Sequence, residues 1–113
     1  MDWDETVEHL HEKYNREKQQ SEEERKKVLE RTVRVLEGKF EGSGVEVYLV
    51  GSLIRPHKFN SESDIDIVLK NFKGDPLDIW TELDHQFEHP IEIILFEKCR
   101  FQEFITSQGL KVI

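Results

Sequence analysis

The chain has 113 residues, which suits one domain with a small core. A formal net charge of −8, with no basic stripe interleaved with aromatics, speaks against polynucleotide binding, which relies on Lys and Arg at phosphates. No run is long and apolar enough to span a membrane, and the charged N-terminus does not read as a secretory signal. Cys99 is the lone cysteine, so no disulfide forms within the chain and a cytoplasmic location is expected.

Trp3, Val7, Leu10 and Tyr14 recur at helical spacing and give a narrow apolar stripe, expected to be a docking element. No apolar residue follows between Asn15 and Lys27. Ser21 with Glu24 reads as a capping box that starts a second helix. This divides the chain into a helical extension over 1–20 and a domain over 21–113. The charged run from Ser21 to Lys27 reads as a solvated helix start. The second helix places Val28, Leu29, Thr32, Val33, Leu36 and Phe40 on one face, and Gly38 with the Gly42-Ser43-Gly44 turn is expected to end it.

A strand is expected over Val45–Val50, then a loop opening on Gly51-Ser52 with a short helical turn. A second strand is expected over Asp64–Lys70. After a turn, Asp75 serves as N-cap and Pro76 opens a helix carrying Leu77, Trp80, Leu83, Asp84 and Phe87. Pro90 restarts an extended segment, and Ile91–Phe96 is the third strand. A last helix is expected over Lys98–Ser107, and Leu110–Ile113 as a short edge strand. The fold class is α/β (α+β), a small mixed sheet with helices packed on one face.

Residues two apart on a strand share a face, so Asp64 and Asp66 aim carboxylates at one place, roughly 7 Å apart at the backbone. Ile65 and Ile67 lie opposite them, and Ile91, Ile93 and Leu95 lie opposite Glu92. If both strands bury their apolar side, the three carboxylates share the other. Like charges there repel unless a cation sits between them. Two carboxylates beside a small-residue turn suit metal ions that carry phosphates.

Gly51, Ser52 and Arg55 are candidate phosphate contacts, with Ser63 grouped beside them; His57 and Lys58 are weaker ones. Zinc is not expected. His9 and His11 face different sides of a helix, and Pro90 directly follows His89, placing it past the end of the helix that carries His85. Cys99 reads as a small packing residue.

Gly51-Ser52, Ser63-Asp64-Ile65-Asp66 and Glu92 together resemble the nucleotidyltransferase superfamily that includes DNA polymerase β. The chain looks most like the minimal nucleotidyltransferase domain of prokaryotes, from roughly Val28 to Ile113. The resemblance implies a nucleotidyltransferase fold and phosphate contact at Gly51 and Ser52. It also implies two Mg2+ held by Asp64, Asp66 and Glu92, with ATP as substrate. A free nucleotide escorted by Mg2+ is easier to reconcile with the negative charge than a polynucleotide is. Many members follow the Gly-Ser turn with Arg-Gly; here Arg55-Pro56 stands there, and the spacing to the aspartates is slightly longer. Minimal members often pair with a small helical HEPN protein as antitoxin and toxin. AMP transfer to a hydroxyl of such a partner is therefore expected. The alternatives are a nucleotide-binding or weakly catalytic module that neutralises a partner by contact, or a small-molecule nucleotidyltransferase acting at a dimer interface.

Overall fold

The computed structural model describes residues 3–113, with side chains from Gln20 onward. The expected docking stripe of Trp3, Val7, Leu10 and Tyr14 lies outside the described side chains, as do His9 and His11.

The two expected helices are one. Helix α1 runs unbroken from Trp3 to Phe40, so Ser21 lies inside it and starts nothing. The polar stretch from Asn15 to Lys27 contains no Gly or Pro and is rich in Glu, Lys, Gln and Arg, which are good helix formers. Absence of an apolar face removed the periodic signal without removing the propensity. Nor is the charged run wholly solvated, because Arg25 is buried.

Strand β1 (Glu46–Val50) is followed by a three-residue helical turn at Ser52–Ile54, then by β2 (Ile65–Lys70). Helix α2 (Pro76–Asp84) starts as its sequence dictates: the Asp75 carboxylate accepts from the Leu77 N–H at 2.9 Å, and proline occupies the first turn. Strand β3 (Ile91–Leu95) ends one residue before the expected limit. Phe96 instead opens a second short turn and buries its ring. That turn delays α3 to Gln102–Gln108, four residues later than its sequence pattern suggests. Leu110–Lys111 form β4, a short edge strand as expected.

The sheet has the order β3-β2-β1-β4. Strand β1 is antiparallel to β2 and β4, whereas β2 and β3 run parallel and are joined through α2. The protein is therefore a mixed α+β fold. Leu36 and Phe40 of α1 and Ile79 and Leu83 of α2 pack with Val47, Leu49, Ile65, Ile67 and Leu69 on one sheet face. The other face is not bare. Ile105 of α3 and Phe96 cover Tyr48 and Val68, with Val50, Ile94 and Cys99 packed beside them. Helices thus sit on both faces, and the expectation of one covered face fails for α3. The reason lies in Phe96 and Ile105, which need apolar cover and find it opposite the main core. Cys99 packs there as a small residue, as expected.

Candidate functional site

The open end of the second face is built from the end of β1 and the beginnings of β2 and β3. The Ile65 N–H donates to the Pro90 carbonyl at 2.8 Å and locks the two parallel strands in register. Asp66 then stands directly beside Glu92, and Val50 flanks Asp66 on the other side. The expected strand parity is observed: Ile65, Ile67, Ile91 and Ile93 point to the main core, away from these carboxylates.

Gly51 closes the arrangement. It leaves β1 at φ +84°, and a Cβ there would lie 2.4 Å from the Asp66 Oδ2. Only glycine leaves room for that oxygen and adopts that backbone angle readily. Gly51 is thus held against a carboxylate as well as starting the loop.

Asp66 is half-buried and its carboxyl is pushed up to about 6. Loss of water contributes most, followed by the charge and hydrogen-bonding contact of Glu92 and then the charge of Asp64. Asp64 is exposed and precedes β2 by one residue. Among the described residues, no three His, Cys, Asp or Glu side chains converge closely enough to share one ion. Asp66 and Glu92 set side by side are oxygen donors of the kind a hard divalent cation takes, Asp66 is destabilised by that like charge, and its Oδ2 fills the space that a Cβ at Gly51 would need.

The raised Asp66 carboxyl carries a stability consequence. Its folded value of about 6 exceeds the ordinary 3.8, so the folded chain holds this proton more tightly than the unfolded one. Stability is therefore full below about 4 and falls as pH rises through about 6. Asp66→Asn should remove that fall. In urea titrations it should be more stable than the wild type at pH 7.5 by about 1 kcal/mol, discounted for the group's partial exposure, and not at pH 4. An equal gain at both pH values would contradict the assignment.

The loop after Gly51 is held from α1, by two residues that the sequence pattern left among solvated charges. Arg25 sends Nη1 to the Leu53 carbonyl at 3.1 Å and pairs with Glu22 through Nε and Nη2. The Glu22 carboxylate also accepts the His57 N–H at 2.9 Å. Glu22 is consequently held at about 2, first by its hydrogen bonds from Arg25 and then by that from His57. The signal was present: Arg25 lies four, seven and eleven residues before Leu29, Thr32 and Leu36, on the inward stripe of the helix.

Ser52 is half-buried in the turn that follows Gly51, and Arg55 and Lys58 are exposed. The Arg55 N–H is taken by the Ser52 carbonyl at 3.1 Å, and the Arg55 carbonyl by the Lys58 N–H. Pro56 adds no donor. Its neighbour His57 sits at φ +65°. Ser63 serves the approach to Asp64: its hydroxyl accepts from the Asn60 N–H at 2.9 Å, and its carbonyl accepts from the His89 Nδ1 at 3.1 Å. His89 is buried, with its ring 4.6 Å from that of Phe59, while α2 ends at Asp84 and leaves His85 at its C-cap. The two histidines do not share a helix face. No protein-family model, no curated protein and no solved structure matches this chain.

Proposed function

We propose that the chain is a nucleotidyltransferase that moves AMP from ATP to a hydroxyl of a partner protein, of the HEPN type that the resemblance implies. The observation that carries this reading is the in-register pair Asp66 and Glu92 beside the Gly51 turn. Asp64, Asp66 and Glu92 would hold Mg2+, which when bound offsets phosphate charge and acidifies the attacking hydroxyl.

The chain's own residues supply the rest. Gly51 and Ser52 begin the loop against which the phosphates would lie, and Arg55 is free in solvent to meet the outer phosphates. Glu92 is exposed and can take the proton of the attacking hydroxyl. The hydroxyl oxygen bonds to the α-phosphorus, the bond to the bridging oxygen breaks, and pyrophosphate leaves.

The setting of the carboxylates favours a large acceptor. Clefts of about 350, 500 and 540 Å³ occur elsewhere, and none is lined by Asp64, Asp66 or Glu92. An acceptor that brings its own surface, as a protein does, suits carboxylates set at an open edge.

The test is incubation with α-labelled ATP, Mg2+ and a candidate HEPN-type partner. Label is expected on the partner, and Asp64→Asn or Glu92→Gln should abolish it. A second reading, neutralisation by contact alone, draws on Pro56 and on the Arg55 N–H being used inside the loop. It wins if Asp64→Asn neutralises the partner as well as the wild type does, with no label transferred.

A further inference from the structure

Asp64 has the least support of the three carboxylates. Asp66 lies within β2 and Glu92 within β3, where the paired strands set their register. Asp64 precedes β2 and is exposed, in a stretch without regular structure. Its two neighbours in the chain are nonetheless tied down. The Ile65 N–H donates to the Pro90 carbonyl at 2.8 Å, and the Ser63 carbonyl accepts from His89 Nδ1 at 3.1 Å. Both anchors come from the entrance to β3. The short segment His89–Glu92 thus bears on all three acids: its first two residues grip either side of Asp64, and its last stands beside Asp66.

The histidine is held for that bond. A carbonyl only accepts, so Nδ1 carries the proton in this contact. His89 is 9% exposed, and its ring lies 4.6 Å from that of Phe59, which belongs to the main core. Pro90 biases the preceding residue toward extended backbone. The other bonds described for the turn before Asp64 are local. The Ser63 N–H donates to the Asn60 carbonyl, the Ser63 hydroxyl accepts from the Asn60 N–H, and the Glu62 N–H donates to the Asn60 side chain. They shape the turn, and the bond from His89 fastens it to β3.

We infer that, on the reading of Asp64 as a metal ligand proposed above, His89 is a positioning residue for it: the Nδ1–H fixes the peptide between Ser63 and Asp64 and so aims the Asp64 carboxylate toward Asp66 and Glu92. The charge of Asp64 already helps to hold the Asp66 carboxyl up, as a side chain kept near it would. Groups that orient a metal ligand govern affinity almost as the ligand does, and their loss typically costs about 10–100-fold.

The test titrates the full chain with Mn2+ alone, reading the free ion by electron paramagnetic resonance, beside urea denaturation of each variant. His89→Asn keeps an N–H donor close to the place of Nδ1. His89→Leu removes the donor and keeps apolar bulk. His89→Gln carries its donor farther out, near the place of Nε2, and asks the same question if the leucine variant does not fold. His89→Asn should bind Mn2+ nearly as well as the wild type, and His89→Leu and His89→Gln about tenfold or more weakly. Stability should run the other way, with His89→Asn below His89→Leu, because asparagine fills the buried place less well and carries more polar atoms into it. Mn2+ affinity that follows stability across the variants, or that is equal in all of them, overturns the positioning role and leaves the metal site standing. A wild type that does not bind Mn2+ overturns both, so the two failures are told apart by the wild type.

Discussion

Gly51→Ala is expected to lower stability and to displace Asp66 from its place beside Glu92. Two penalties coincide at this position. At φ +84° and ψ −158° the backbone lies in a region that side-chain-bearing residues rarely adopt, at a cost of about 1–3 kcal/mol. The new Cβ would also lie 2.4 Å from the Asp66 Oδ2, so the carboxylate must move. The two effects separate in a double-mutant cycle. In an Asp66→Ala background the steric part vanishes and the backbone part remains, so Gly51→Ala should cost less there by urea denaturation. The same cost in both backgrounds would show that Gly51 and Asp66 are not in contact. ATP binding in the presence of Mg2+ should fall with Gly51→Ala, if the proposed activity holds.

Arg25→Met should loosen the loop between Gly51 and Lys58. Methionine keeps the stem that packs along the helix and removes the guanidinium. The loss of a charged hydrogen bond to the Leu53 carbonyl should cost about 1.5–3 kcal/mol. Amide exchange should quicken at Leu53–Lys58 and stay slow in β1 and β2, and uniform acceleration would count against a local clamp. The partner carboxylate adds a pH signature. Glu22 is held at about 2 against an ordinary 4.5, so the folded chain releases this proton more readily than the unfolded one. Its stabilisation is full above 4.5 and is lost as pH falls through about 2. Glu22→Gln should remove that part of the acid sensitivity and leave the trend above pH 5 unchanged.

Much of this architecture is legible in short-range pattern. Alternation around Asp64–Leu69 and Ile91–Leu95 places the carboxylates opposite the apolar side chains, and the sheet register puts Asp66 beside Glu92. Asp75-Pro76 marks a helix start because cap and proline act within one turn. What escaped the pattern depends on partners distant in sequence. Arg25 looks solvated until the Leu53 carbonyl, 28 residues away, is brought to it. Ser21 and Glu24 match a capping box, but the preceding polar residues continue the helix by propensity alone. Phe96 fits a strand by composition, and only the cover of Tyr48 and Val68 by α3 explains why it turns under the sheet.

The continuity of α1 has a mechanical meaning. Thirty-eight residues without a break make a stiff rod of about 57 Å, and Glu22 and Arg25 rivet the loop after Gly51 to its middle. Beyond those rivets, Leu36 and Phe40 seat the C-terminal half of the rod in the core, so the loop is braced by the same body that holds the sheet. The rod acts as a splint: a loop with no regular structure of its own beyond one short turn borrows its rigidity from a helix anchored elsewhere.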